Sequence, residues 1–128
     1  MKPADVYNPI MKWLLRSSLH SLVSGNTLLL IFTGRKSGKE YSTPINYARE
    51  GDCLTLITSR QHEWWKNLQT ARPVKLQLRG HEVCGIAQAL APDADTMVSA
   101  IEKVYHGIPH EQAVKLALEA LMIRIVLN

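Results

Sequence analysis

Apolar and polar positions follow two rhythms along this chain, and the changes between them mark out its elements. Over residues 9–24, Ile10, Trp13, Leu14, Leu15, Leu19, Leu22 and Val23 recur at helical spacing behind Pro9. Gly25-Asn26 stops the pattern, which predicts an amphipathic helix. The opposite face of that helix carries Lys12, Arg16, Ser17, His20 and Ser21. Thr27–Thr33 is then a short, nearly continuous apolar run between glycines, the mark of a buried strand. A loop, Gly34–Glu40, leads to a second strand over 41–49, and Pro44 within it requires an edge or a bulge at that point. Glu50-Gly51-Asp52 turns into a third strand over 53–58, so these two strands form a hairpin.

Further along, residues 62–71 read as a short helix carrying Trp64, Trp65 and Leu68. Residues 74–79 alternate apolar and polar with period two, and Gly80-His81 turns them into a strand over 82–90. Helices are expected over 93–105 and 111–121, separated by Gly107-Ile108-Pro109, with a closing strand over 122–127. Short connections imply antiparallel pairing, and six strands of this length escape exposed edges by closing into a small barrel. The expected fold is α+β, mainly β: one domain over 1–128 with a six-stranded antiparallel barrel, its core within about 27–90.

Composition narrows the class. A chain of 128 residues suits one domain. With 46% hydrophobic and 20% charged residues it has the make-up of a globular protein and not of a disordered one. The longest apolar run, Leu28–Phe32, is five residues, far short of a membrane helix. The N-terminus lacks the basic-then-apolar layout of a secretory signal, and Cys53 and Cys84 are too few for a disulfide framework. The expectation is a reduced, cytoplasmic protein, a monomer or homodimer. Peripheral membrane contact through residues 10–16 stays open, because apolar Ile10, Trp13, Leu14 and Leu15 lie beside Lys12 and Arg16. The same apolar face equally suits packing on a barrel. A net charge of +4 favours anionic partners without choosing among nucleic acid, phosphorylated cofactor and lipid.

Chemistry concentrates in a few places. Gly34-Arg35-Lys36-Ser37-Gly38-Lys39 combines two glycines, which let consecutive amides converge on an anion, with three cations and a hydroxyl. It is not a Walker loop, since GxxxxGK[ST] is absent and a strand follows. The alternative is a solvated basic loop. Adjacent tryptophans on a helix point about 100° apart, so one of Trp64 and Trp65 faces the core and the other is free to stack on a planar ligand. Thr58-Ser59-Arg60 ends the third strand at the barrel mouth. His106 and His110 have a helical ligand spacing, but Gly107 and Pro109 interrupt it, and no metal site is expected. No Ser-His-Asp or Cys-His order and no paired carboxylates stand out. Nucleic acid is not expected either, because single strands need several stacking platforms and this chain has one Phe, four Tyr and three Trp.

Taken together, Phe32-Thr33-Gly34-Arg35-Lys36-Ser37-Gly38, Ser42-Thr43-Pro44-Ile45-Asn46-Tyr47, Arg49-Glu50-Gly51-Asp52, Ser59-Arg60 and Trp64-Trp65-Lys66-Asn67-Leu68 form a recognisable set. The chain resembles the deazaflavin-dependent nitroreductase and quinone reductase family over roughly residues 27–90. That resemblance implies a split β-barrel related to FMN-binding proteins and the cofactor F420, a deazaflavin with a phosphate and an acidic tail. It further implies hydride transfer to a quinone, nitroaromatic or enone-type acceptor. Carried over, Arg35, Lys36, Ser37 and Gly38 hold the phosphate region, and Thr43, Pro44 and Ile45 line the deazaflavin. Thr58, Ser59 and Arg60 stand at its ring edge, Trp64 lies near the cofactor, and Asn67 buttresses the helix. Ser59 and Tyr105 are the catalytic candidates, as donors to the substrate oxygen. The chain departs from the family at Tyr41, where members often carry a basic residue, and in a late tyrosine-rich segment reduced here to Tyr105. Relatives of this barrel also bind FMN or haem, so an FMN-dependent reductase or a non-catalytic flavin or haem carrier is the alternative.

Overall fold

Six antiparallel strands close on themselves in the computed structural model of the chain, which describes residues 27–79 and 81–128. They are β1 (Thr27–Thr33), β2 (Glu40–Glu50), β3 (Cys53–Ser59), β4 (Arg72–Leu78), β5 (His81–Leu90) and β6 (Ala120–Leu127), in the cyclic order β1-β2-β3-β6-β5-β4. Helices α1 (Ala94–Val104) and α2 (His110–Ala117) sit between β5 and β6. The helix expected over 9–24, and the membrane contact attached to it, lie outside the described residues. None of the described helices is long and apolar enough to cross a membrane.

Alternation builds the core directly. Leu28, Leu30 and Phe32 of β1, Leu54 and Leu56 of β3, Val74, Leu76 and Leu78 of β4, and Ile123 and Ile125 of β6 all point inward and are buried. β6 is the closing piece, paired with β3 from Ser59↔Ala120 to Cys53↔Val126 and with β5 from Leu90↔Met122 to Gly85↔Leu127. Gly85 permits that closeness: a Cβ there would lie 2.8 Å from the Val126 carbonyl oxygen.

Two elements differ from the expectation. The helix expected over 62–71 is a single 3-10 turn, Trp64–Leu68, because residues 72 and 73 are drawn into β4, where Arg72 pairs with Ala87 and Pro73 with Ile86. The last helix ends at Ala117 instead of 121, and β6 starts at Ala120 instead of 122. Ala120 and Leu121 are strong helix formers, but pairing with Ser59 and Thr58 closes the barrel, and that tertiary term wins.

Pro44 behaves as its missing N–H demands. β2 pairs with β1 from Glu40 to Asn46 and with β3 only from Tyr47 to Glu50, so at Pro44 one side of the strand has no ladder to interrupt. Beyond the Tyr47↔Leu56 pair the two strands separate, while β3 runs on to Ser59 against β6. The barrel is split there, between Thr43-Pro44-Ile45 on one edge and Thr58-Ser59 on the other.

Candidate functional site

The cationic loop lies at the β1–β2 end of the barrel and is folded tightly on itself. The Gly34 amide donates to the Lys39 carbonyl at 2.8 Å and the Gly38 amide to the Gly34 carbonyl at 3.0 Å, with Gly38 at φ +69°. The Lys39 amide donates to Ser37 Oγ at 3.2 Å. The Arg35 amide reaches out of the loop to Asn67 Oδ1, 2.8 Å away. A nest built from the whole loop is therefore not what forms. Among the described residues, the amides left without a partner are those of Lys36 and Ser37 at the tip, flanked by the exposed side chains of Arg35, Lys36 and Lys39. Two adjacent free N–H groups among three cations still suit a phosphate oxygen.

Asn67 joins this loop to the Trp64–Leu68 turn. Its Nδ2 donates to the Trp64 carbonyl at 2.8 Å while its Oδ1 receives the Arg35 amide, and the side chain is buried. The turn in turn grips the end of β3. Trp65 Nε1 donates to the Arg60 carbonyl at 3.2 Å, the Gln61 amide donates to Ser59 Oγ at 3.3 Å, and Arg60 Nε donates to the Ala120 carbonyl at 3.2 Å. Arg35, Lys36, Ser37, Gly38, Asn67, Trp64, Ser59 and Arg60 thus gather at one end of the molecule, around a short series of hydrogen bonds.

The tryptophan pair divides as its geometry requires. Trp64 is the core partner, 1% exposed, with its ring 5.7 Å from Phe32, which lies 5.9 Å from Tyr41. Trp65 is the half-buried one. Tyr41, noted in the sequence only as a departure from a basic position, proves to be part of the loop's support. Its hydroxyl is 3.2 Å from Ser37 Oγ, and a Cβ on Gly34 would fall 2.7 Å from its ring. The inward alternation of Tyr41, Thr43, Ile45 and Tyr47 was the available signal for that role.

Among the described residues, Thr58 Oγ1, Trp64 Nε1 and Tyr105 Oη are buried polar atoms with no hydrogen-bond partner. Such groups ordinarily find one, because leaving a buried donor unpaired is costly. Thr58 stands on the β3 edge of the split and Thr43 and Ile45, both buried, on the β2 edge, with Pro44 half-buried between them. Tyr105 caps α1 and is 1% exposed; no hydrogen bond joins its side chain to the loop or to Ser59. Burial pushes its phenol pKa well above the ordinary tyrosine range, so the group is a neutral donor.

Compared with curated proteins, the sequence finds no significant match. Among solved structures, an F420 reductase superposes with TM-score 0.54 at 16% identity, covering 84% of this chain and 91% of that one. The general stress FMN/FAD binding protein of Xanthomonas citri gives 0.56 at 16% identity, covering 94% and 85%. The heme storage protein HutZ of Vibrio cholerae gives 0.63 at 12% identity, covering 89% and 90%. At such identities these establish the FMN-binding split-barrel fold and nothing about the ligand, and the names of the three proteins differ in the ligand they mention. The sequence is more specific than the fold: residues 16–112 match the profile of the F420H2-dependent quinone reductases, and the chain belongs to that family.

Proposed function

We propose that the protein holds F420 across the split between β2 and β3 and uses it to reduce a small quinone, nitroaromatic or enone-type acceptor. One observation carries this reading. Where the two strands separate, their unpaired edges present Thr43-Pro44-Ile45 and Thr58-Ser59, and Asn67 ties the cationic loop to the same end. The residues fit a planar, phosphorylated ligand. Thr58 Oγ1 and Trp64 Nε1 are buried donors with nothing to donate to, and the Lys36 and Ser37 amides are free among cations.

When bound and reduced, F420 supplies a hydride from its C5. The chain supplies position and electrostatics. Arg35, Lys36, Ser37 and Gly38 take the phosphate, with Lys36 and Ser37 offering amides as well as side chains. Thr43, Pro44 and Ile45 line the ring, and Thr58, Ser59 and Arg60 stand at its edge. Trp64, packed in the Phe32–Tyr41–Trp64 cluster, would support the cofactor site from the core side. Ser59 Oγ accepts from the Gln61 amide, which leaves its own hydrogen free to donate to the acceptor oxygen as negative charge develops. Tyr105, neutral through the physiological range, is the second donor in this scheme.

The first test is a tryptophan-fluorescence titration with F420 beside one with FMN. Tight quenching by F420 and weak quenching by FMN is the expected result, followed by menadione reduction when reduced F420 is supplied. Preference for FMN would keep the barrel and overturn the cofactor, and binding of neither would overturn the site.

A further inference from the structure

A second concave feature lies at the other end of β2, where none of residues 34–39, 58–60 or 64–67 reaches. It is an open groove of about 960 Å³, within the range of small-molecule sites. Its floor is the outer face of the sheet: Ala48, Thr55 and Arg124 are cross-strand neighbours on β2, β3 and β6 and face away from the buried interior. One face of α1 forms the wall, with Thr96, Ser99, Ala100 and Lys103 at i, i+3, i+4 and i+7. Lys103 forms an exposed ion pair with Glu50, 3.8 Å away.

The groove's charge is one-sided. Arg49, Arg79, Lys103 and Arg124 line it against two carboxylates, Glu50 and Asp95, one of them already engaged by Lys103. Arg49 Nε donates to the Gly51 carbonyl at 2.9 Å, a bond that fixes the side chain's stem. Arg79 adds an independent observation. Leu78 and His81 are paired, so the β4–β5 connection is two residues long, and Arg79 occupies it with φ +51°. Glycine, asparagine or aspartate take that conformation at little cost in such hairpins, and a long cation there is unusual. Methylenes and methyls from Ala48, Ala100 and Met122 offer apolar contact beneath the cations.

We propose that this groove is a second anion site, independent of the loop, which takes a small organic dianion: an apolar body on the floor with carboxylate or phosphate groups at the arginines and Lys103. The test is an amide NMR titration of the full chain at low salt, where exposed charge pairs are least screened, with phthalate and phenyl phosphate as probes, each with and without F420. Saturable shifts at Thr55, Ser99 and Lys103 with either probe are expected, and the better probe identifies the anionic group. Arg79→Gly should weaken binding about tenfold, the effect of removing one charge-assisted hydrogen bond, with thermal stability no lower because glycine accepts the backbone angle. Arg124→Gln should act in the same direction, and Lys36→Ala should leave groove binding unchanged. Shifts confined to residues 35–38, no saturation at millimolar probe, displacement of the probe by F420, or full affinity in Arg79→Gly would each overturn the proposal. Because the groove shifts are read without F420 as well, failure of the F420 titration leaves this result standing on its own.

Discussion

Tyr105 is the residue at which stability and function pull in opposite directions. Its hydroxyl is buried without a partner, so the folded chain carries the desolvation cost of a donor it does not use. Tyr105→Phe removes that cost and should raise the unfolding free energy by about 1 kcal/mol. The same substitution should lower menadione turnover about tenfold if the hydroxyl supports the acceptor oxygen. Stability up with turnover down identifies a group retained for chemistry; stability up with turnover unchanged removes Tyr105 from the mechanism. The alkaline limb gives a separate check. Folded, the phenol's pKa is raised, so its contribution to stability is whole below the unfolded value of about 10 and is lost as pH rises above it. Urea midpoints should therefore fall above that pH more steeply in the wild-type protein than in Tyr105→Phe. Lys36 belongs to the opposite kind. It is exposed and held by no described partner, so Lys36→Ala should leave stability unchanged within about 0.5 kcal/mol. F420 affinity should fall at low salt, and the gap between variant and wild type should close as the Debye length shrinks from about 10 Å at 0.1 M to about 3 Å at 1 M.

At the scale of elements, the cationic loop and the Trp64–Leu68 turn act as one unit because Asn67 bonds to both. Asn67→Ala leaves the Arg35 amide and the Trp64 carbonyl without partners and should cost roughly 2–4 kcal/mol. Asn67→Asp keeps the acceptor for Arg35 but loses the donor to Trp64. If the loop is held through Oδ1, Asn67→Asp should retain slow hydrogen exchange at the Arg35 amide and most of the F420 affinity, whereas Asn67→Ala should lose both. Equal loss in the two variants would place the effect in the turn instead. The loop itself was legible in the sequence, since two glycines and three cations between two apolar runs mark an exposed basic connection. Its internal hydrogen bonds were not, because they depend on Tyr41 and Asn67, which lie outside it in sequence. Nor was the 3-10 turn: Trp64, Trp65 and Leu68 have helical spacing, and only the start of β4 at Arg72 cuts the helix short. The switch from helix to strand at Ala120 was hidden for a similar reason, as Ala and Leu favour helix until β3 and β5 are present to pair with.

Across the whole molecule, the belt that holds the fold and the end that holds the candidate site are built from different residues. Period-two alternation and turn residues are local signals, so the six strands and the barrel they close are legible in the amino-acid sequence alone. Pro44, which required an edge or a bulge in β2, and the family resemblance, which implied a split barrel, pointed to an interruption without locating it. Where the split lies follows from register, which no single segment encodes. Barrel closure rests on β6, the last strand made, whose Ile123 and Ile125 are fully buried and whose two edges pair with β3 and β5. Ile125→Ala should therefore cost about 2–5 kcal/mol, with a cavity left in a packed interior. Because β6 joins both halves of the sheet, that loss should appear as a global lowering of hydrogen-exchange protection in β3, β5 and β6 together. F420 affinity measured well below the melting temperature should change little, since Ile125 pairs at the Leu54 and Ala87 level, away from the loop. The reverse pattern, full stability with weakened F420 binding, is expected of Lys36→Ala. Measuring both quantities on both variants yields a crossed result if fold and site are separable. A parallel loss in Ile125→Ala would show instead that the split widens when the belt loosens, and that the site is only as well formed as the barrel beneath it.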